Sequence, residues 1–335
     1  MARGRVYNRI YTPELWEKVN RENKNILNDF MAEYRQRRKA KSTIDAYYND
    51  LRIIFIYILQ YLDNRSILTL KKKDFRGLSL WLSEDCQLSS GRVNRLKSAV
   101  NSLLTFCEDD DDYDYDINYA KKVKGLERVR VKDNDNDFFF SFDEFIKVRD
   151  ILIESGRLQL AVLWSIGFDS AGRKNELFQI KKQGLEKSNK TNVVVGKRGK
   201  KFQLVYLDDT RDLIAKYLEE RGEDDIESLW IKGSGENKAP ISKETIYERI
   251  VSISAILSEI RGEECNIFPH TMRHSRMECL AQGTDTRLLD SEGKPIKYAL
   301  EQIMKFAHHN DVSTTQGYLM NHDEEEIDAM FGFNS

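Results

Sequence analysis

Apolar and polar positions follow a helical period along most of the chain. The stretch KSTIDAYYNDLRIIFIYILQYL, from Lys41 to Leu62, places apolar residues three and four positions apart, and Ser42 or Thr43 can cap its start. Similar periods occur in DFRGLSLWLSE and in SGRVNRLKSAVNSLLTFCED. These segments predict a compact helical domain.

The second half of the chain is also helical in pattern, apart from one segment. Helical periods occur in FSFDEFIKVRDILIES, LQLAVLWSIGFDS, TRDLIAKYLEERG, SKETIYERIVSISAILSEI, PHTMRHSRMECLAQG and IKYALEQIMKFA, and in the tail EEEIDAMFGF. Between them, TNVVVGKRGKKFQLVYL has two β-rich runs around a Gly-Lys-Arg-Gly turn, which predicts a hairpin. The fold class expected is therefore mainly α with a small antiparallel β-sheet.

The pattern divides the chain into three parts. Residues 1–42 are basic, contain one short amphipathic stretch, NILNDFMAEYRQRR, and are interpreted as an N-terminal arm. The charged stretch INYAKKVKGLERVRVKDNDND has no period and is interpreted as a linker. We therefore expect a helical domain over 43–132 and a second domain over 133–335, and 335 residues suffice for two domains with separate cores.

Composition narrows the class of protein. Hydrophobic residues make up 40% and charged residues 32%, with only four prolines, which argues against a disordered or fibrous chain. No apolar run approaches the roughly 20 residues that cross a bilayer, and MARGRVYNR lacks the apolar core of a signal peptide. The four cysteines are far apart without a C-x-x-C spacing. We expect a cytoplasmic protein with reduced thiols and no contact with a membrane.

Charge is unevenly distributed behind a net charge of −2. Acid is concentrated in EDDDDYDYD and DEEEID, and base in RQRRKAK, KKK and GKRGKK, although a single charge run is usually just a solvated face. Lysine and arginine are the side chains that contact DNA phosphates. The candidates for such contacts are Arg35, Arg37, Arg38, Lys39, Lys41, Arg92, Arg95, Lys97 and Lys200.

Residues suited to phosphate chemistry lie in the second half. His270 and Arg273 are three positions apart at a predicted helix start, where both face the positive end of the helix dipole and suit an anion. Cleaving a phosphodiester without a metal needs preorganised cations at the phosphoryl oxygens, and arginine matches them with two parallel hydrogen bonds. Arg173 and Arg273 meet this need. A tyrosine nucleophile also requires activation by a positive field or a base.

Four stretches, in this order and spacing, resemble the boxes of the tyrosine recombinase (phage integrase) family. They are SAGRKNEL for the first arginine box, GKRGKKFQLVYL for the lysine hairpin, HTMRH for the H-x-x-R box and HHNDVSTTQGY for the histidine-to-tyrosine box. Almost the whole chain is covered, with residues 43–130 resembling the family's core-binding domain. The resemblance implies a helical core-binding domain followed by a tyrosine-recombinase-like catalytic domain, encoded by a phage or mobile element.

The same resemblance implies a role for each matching residue. Tyr318 would attack the scissile phosphate to give a 3′-phosphotyrosyl link. Arg173, Arg273 and His309 would hold the phosphate, and His270 would act in acid–base or positioning roles.

The lysine box leaves a choice open. Lys197 would protonate the leaving 5′ oxygen because it follows the strand in the family's V-x-G-K pattern, with Lys200 as the second choice. Glu176 would be a buried acidic support, and His308 is expected to be a neighbour without a role. The resemblance implies double-stranded DNA as partner and a tetramer on paired sites, with no metal and no nucleotide cofactor.

Other interpretations stay open at this point. The chain could be a non-cleaving DNA-binding regulator, such as a phage repressor, built on the same fold, or a type IB topoisomerase, which shares the chemistry. Tyr318 taken singly fits a half-buried packing residue. The HTMRH stretch has two histidines at zinc-helix spacing, but Thr271 stands where a metalloprotease needs glutamate, which disfavours a metal site.

Overall fold

The computed structural model describes residues 9–127, residues 138–309 and Thr315. The chain divides into two compact units, Met1–Arg130 and Val131–Ser335, each with a hydrophobic core of its own. The expected domain boundary between residues 132 and 133 lies outside the described residues and stays a prediction.

The first unit is built from helices. They are α1 (Pro13–Lys18), α2 (Arg21–Gln36), α3 (Lys41–Tyr61), α4 (Lys72–Leu80) and α5 (Ser90–Asp109), with a π-helical turn, Trp81–Asp85, after α4. The predicted helix in the stretch Lys41–Leu62 is confirmed as α3, which buries Leu51, Ile54 and Phe55 in the core. Ser89 caps α5, since its side chain accepts a hydrogen bond from the backbone N–H of Arg92.

Residues 13–36, which were expected to be part of a basic arm, include two helices of the first unit, and the bounds of the arm stay a prediction. Helix α2 packs into the core of the first unit, where Ile26 and Phe30 are buried. Asn23 is buried as well, and its side-chain oxygen accepts a hydrogen bond from the backbone N–H of Ile67 at 2.8 Å. The interpretation as an arm rested on the basic residues at the end of α2. Apolar positions that recur three and four residues apart in α2 instead place it in the core.

The stretch expected to be a linker also belongs partly to the first unit. Ala120 and Val123 are buried in its core. The side chain of Asn94, on α5, accepts a hydrogen bond from the backbone N–H of Leu126 and donates one to its carbonyl oxygen, both at 2.9 Å. The charge of this stretch suggested a linker, but its apolar side chains and its hydrogen bonds to an asparagine side chain attach part of it to the first unit.

The second unit surrounds one buried helix. Its helices are α6 (Phe142–Glu154), α7 (Leu158–Ser170), α8 (Lys174–Phe178), α9 (Asp208–Arg221), α10 (Lys243–Ser252), α11 (Ser254–Arg261), α12 (Pro269–Gln282) and α13 (Leu300–Phe306). Every residue of α7 from Ala161 to Ser170 is buried. A helix that is apolar all round belongs in the middle of a domain, and α7 accordingly lies in the core.

Two small antiparallel ladders complete the second unit. Strand β1 (Lys190–Val195) pairs with β2 (Lys201–Val205), so that Val194 lies opposite Phe202. Strand β3 (Ile231–Lys232) pairs with β4 (Ala239–Pro240). The expected class, mainly α with a small antiparallel sheet, is confirmed. Within the described parts of the chain, no helix is long and apolar enough to cross a membrane.

An exposed excursion, residues 289–295, separates α12 from α13. The backbone N–H of Asp290 donates to the carbonyl of Lys294 at 2.8 Å, and that of Ile296 donates to the carbonyl of Leu288 at 2.9 Å. These bonds hold the two ends of the excursion side by side, so the chain leaves the excursion close to where it enters it and continues towards α13.

Candidate active site

Arg173 lies where α7 ends and α8 begins. Ala171 closes α7 in a left-handed conformation, with φ at +49°, and Arg173 immediately precedes α8. The backbone N–H of Arg173 donates to Glu176 Oε2 at 2.8 Å, and its Nη1 donates to Oε1 at 3.2 Å. Glu176 is only 2% exposed. One buried carboxylate therefore holds both the backbone and the guanidinium of Arg173.

Arg273 joins three segments of the second unit. It lies in the first half of α12 and is 2% exposed. Its Nη1 donates to the carbonyl oxygen of Ala171 at 2.6 Å, and its Nη2 donates to that of Ala307 at 2.5 Å. A guanidinium carries its donors in a rigid plane. Arg273 thus connects the end of α7 to the residue that follows α13.

His309 takes a defined tautomer beside Arg273. Its Nε2 lies 2.7 Å from Arg273 Nη2, and its Nδ1 lies 2.9 Å from Thr315 Oγ1. Because arginine has no acceptor, Nε2 must accept, and in a neutral ring the proton is then on Nδ1 and is donated to Thr315. Thr315 belongs to the histidine-to-tyrosine box and is fully buried.

Burial and then the neighbouring arginines keep the two histidines neutral. Burial of the ring, followed by the charges of Arg273 and Arg173, lowers the pKa of His309 to about 4. Loss of surrounding water and then the same two arginines lower the pKa of His270. A proton on either ring would add a further positive charge to the same pocket. At pH 7 the arginines therefore supply the charge, and the imidazoles are neutral hydrogen-bonding groups.

The β1–β2 hairpin packs against this pocket through residues beside its turn. A Cβ atom at Gly196 would lie 2.7 Å from Phe202 Cε1 and 3.1 Å from Glu176 Oε1, so the position accommodates little beyond glycine. The ring of Phe202 lies 3.8 Å from the ring of His308, centroid to centroid. The hairpin thus touches both the Arg173 segment and the His309 segment.

The two candidate lysines occupy different surroundings on the hairpin. Lys197 is exposed at the start of the short 3-10 turn Lys197–Gly199. The positive charge of Lys200 contributes to lowering the pKa of His308 and of His309. Lys200 is therefore within electrostatic range of the pocket, and the choice between the two lysines stays a prediction.

The structure brings together four of the predicted catalytic residues, Arg173, His270, Arg273 and His309. Tyr318 lies outside the described residues, and its role as nucleophile stays a prediction. Among the residues that the structure describes, no group of three or more His, Cys, Asp or Glu side chains is placed to hold a metal ion.

The candidate DNA contacts fall into two groups. The first group is exposed and consists of Arg35, Arg37, Arg38, Lys39 and Lys41 in the first unit and Lys200 on the hairpin. The second group makes contacts inside the first unit. Arg92 and Arg95 pair with Asp50 at 2.6 and 3.2 Å, and Lys97 donates to the carbonyl of Val123. In the first group, Arg37 also pairs with Glu33 at 3.6 Å, so a DNA phosphate there would compete with a surface ion pair.

A buried ionic network next to the pocket was not predicted. The guanidinium of Arg287 lies 2.8 Å from Asp169, 2.9 Å from Asp285 and 3.1 Å from Asp209. Asp169 is buried two residues before Ala171, whose carbonyl binds Arg273. The sequence offered one sign of this network, an aspartate inside the apolar stretch of α7, because a buried carboxylate requires a partner.

No protein-family model matches the chain. The chain is similar to the SPbeta prophage-derived recombinase-like protein YomM of Bacillus subtilis (strain 168), with 27% identity over 338 residues that cover 96% of this chain and 94% of that protein.

Two solved structures match over both units. One is a lambda integrase dimer bound to a COC′ core site, with a TM-score of 0.63, 12% identity and coverage of 88% of this chain and 94% of that chain. The other is the XerH site-specific recombinase bound to palindromic difH substrate, a post-cleavage complex, with a TM-score of 0.62, 16% identity and coverage of 87% and 81%. The architecture of its two units and these matches show that the chain has the fold of the tyrosine recombinases.

Proposed function

We propose that the protein is a site-specific DNA recombinase that cuts and rejoins double-stranded DNA through a 3′-phosphotyrosyl intermediate. The observation that carries the proposal is the convergence of Arg173, Arg273 and His309 on one pocket, next to the buried Thr315 of the tyrosine box. Fixed cations aimed at one point are what a phosphoryl transition state requires.

Binding of the scissile phosphate would be the task of the two arginines. Glu176 holds Arg173, and the carbonyls of Ala171 and Ala307 hold Arg273, before any substrate arrives. Little reorganisation is then needed when charge develops on the phosphoryl oxygens. In a pocket that excludes water, the attraction between guanidinium and phosphate is also stronger than at the surface.

Cleavage would be a transfer of the phosphoryl group to Tyr318. The phenol oxygen forms a bond to phosphorus while the bond from phosphorus to the 5′ oxygen breaks. The phenol proton passes to a neutral histidine, for which His270 is suited, and the 5′ oxygen takes a proton from Lys197 or Lys200. Attack of a 5′ hydroxyl on the phosphotyrosine reverses each bond change, so no cofactor is consumed.

Double-stranded DNA as the substrate is supported by two observations. The lambda integrase and XerH structures with the same fold are bound to a core site and to difH substrate. The exposed residues Arg35 to Lys41 supply cations for phosphate contacts. We further propose a tetramer, because exchange between two duplexes cuts four strands and each protomer carries one such pocket.

The proposal predicts that Tyr318→Phe abolishes the covalent adduct, since the variant lacks the attacking oxygen. Nicked suicide substrates with candidate sites are incubated with protein and resolved on a denaturing gel. Tyr298→Phe, a change of the same kind between α12 and α13, should keep wild-type adduct levels. Adducts from the Tyr318 variant at the wild-type level would reject this residue as the nucleophile.

One observation favours a second candidate, a non-cleaving DNA-binding regulator such as a phage repressor. Arg273 is 2% exposed and already donates to two backbone carbonyls and to His309, so a phosphate must reach a guanidinium that the protein covers. The regulator predicts footprints on repeated operator-like sites without adduct and without joined products. If the wild-type protein forms adducts on the same sites, the regulator is rejected in favour of the recombinase.

A further inference from the structure

His308 has a backbone conformation that usually belongs to glycine. Its φ is +54°, in the left-handed region, where a Cβ atom crowds the carbonyl oxygen. It follows the end of α13, where its N–H donates to the carbonyl of Lys305 and the N–H of His309 donates to that of Met304. Glycine fills such a helix end at the lowest cost. A histidine here therefore calls for a compensating contact of its side chain.

That contact is with the hairpin. The imidazole of His308 is partly buried, and its centroid lies 3.8 Å from the centroid of the Phe202 ring on β2. The two rings are therefore in direct contact, and contacts between aromatic rings stabilise a fold beyond the effect of apolar burial. The contact joins two segments more than a hundred residues apart in the chain.

Phe202 also lies close to Gly196, at the other end of the hairpin turn. Its ring edge is so close to Gly196 that a Cβ atom there would meet it at 2.7 Å, and Glu176 Oε1 would be 3.1 Å from the same atom. The turn end of the hairpin thus lies close both to the carboxylate that holds Arg173 and to the ring that precedes His309. Loss of the His308 ring would remove one of these two contacts.

Burial and the net effect of the surrounding charges favour the neutral form of His308. Burial, and then the charge of Lys200, lower the pKa of its ring, the carboxylate of Glu176 opposes the shift, and Arg273 and Arg173 add to it. His309, the next residue in the chain, is neutral at pH 7 for similar reasons. A proton on His308 would place a new positive charge beside Lys200 and repel the hairpin from the pocket.

We propose that His308 is a positioning residue for DNA cleavage, because its ring contact with Phe202 holds the β1–β2 hairpin against the arginine pocket and so presents the hairpin lysines to the bound phosphate. This revises the expectation that His308 has no role. The inference rests on the proposed function for its effect on cleavage, whereas the hairpin contact itself is measurable in the free protein.

The first experiment measures amide hydrogen exchange in the full-length protein without DNA. His308→Gly suits the left-handed backbone and His308→Asn tolerates it, but both lack the ring, so both should speed exchange in β1 and β2 about tenfold without changing exchange in α6. His308→Phe retains a ring and should restore slow exchange. Unchanged hairpin exchange in both ringless variants would overturn the proposal.

The second experiment measures adduct formation on suicide substrates. His308→Gly and Phe202→Leu should each slow the adduct about tenfold or more, and the double variant should be no slower than the slower single variant, because both remove one contact. His308→Phe, which retains a ring, should keep the rate at pH 7. Multiplying effects of the two single changes would reject positioning through the ring contact. If the wild-type protein forms no adduct at all, the proposed function fails, and the exchange experiment still decides the contact.

Discussion

The neutral His309 makes the pocket sensitive to acid. Its pKa is about 4 in the folded protein and close to 6.5 in an unfolded chain. The unfolded chain therefore binds the proton at higher pH, so this histidine contributes stability that is complete above pH 6.5 and is lost as the pH falls towards 4. The direction follows from burial beside Arg273 and Arg173.

We predict that His309→Gln reduces the pH dependence of folding stability. Between pH 6.5 and 4, wild type should lose up to about 3 kcal/mol more than the variant, since glutamine does not ionise. Urea unfolding at a series of pH values measures the difference. Parallel stability curves for the two proteins would show that His309 is not the group that titrates.

Single residues of the site were predictable to different degrees. Arg173, His270, Arg273 and His309 follow motifs whose spacing places them at helix ends, and the structure brings these four together. The contact between His308 and Phe202 was not predictable, because it depends on where a hairpin meets a loop distant in sequence. The spacing of residues within one helix does not show which distant segment will contact that helix.

At the scale of elements, Arg287 ties α7, α9 and the segment after α12 together. Burial alone would raise the pKa of Asp285 and of Asp209, but their contacts with Arg287 lower both values. Their ionised forms are therefore stabilised on folding, and this contribution is present above the ordinary aspartate pKa and lost as the pH falls below it.

We predict that Arg287→Met destabilises the second unit by about 3–5 kcal/mol, because the buried Asp169 loses its counter-charge, whereas Asp285 and Asp209 retain Arg276 and Arg149. Arg211→Met is the matched control. Arg211 pairs with Asp208 and Asp212, whose side chains are exposed, and its loss should cost no more than about 1 kcal/mol. Urea unfolding of both variants measures the two costs. Equal, small losses would show that the network contributes little to stability.

Elements with a clear period were predictable, and short or mixed ones were not. The pattern predicted α3 and the β1–β2 hairpin because their apolar positions repeat over several turns or residues, and α7 because its sequence is almost continuously apolar. Strands β3 and β4 have two residues each, too few for any period. The Arg287 network joins positions up to 118 residues apart, and only the tertiary fold brings them into contact.

At the scale of the whole molecule, the two described cores share no residue. Trp16 and Trp81 pack in the first core or against it, and Trp164 and Trp230 are buried in the second. The chain has four tryptophans, so each unit carries its own pair of probes.

We predict that Phe30→Ala weakens the first unit alone. The cavity left by a buried phenylalanine should cost about 3–5 kcal/mol. In a urea titration followed by 19F NMR of fluorotryptophan, the signals of Trp16 and Trp81 should shift to lower midpoints while those of Trp164 and Trp230 stay. Leu163→Ala should give the reverse pattern. Equal shifts of all four signals in either variant would show that the units unfold together.

The excursion over residues 289–295 offers a place to attach a reporter. Its ends are joined by backbone hydrogen bonds, and its residues are exposed. The four native cysteines are all buried. Ser291→Cys therefore introduces a reactive thiol at the surface. A fluorophore coupled there can test by single-molecule energy transfer whether protomers meet on DNA, as proposed, while the arginine pocket is left unmodified.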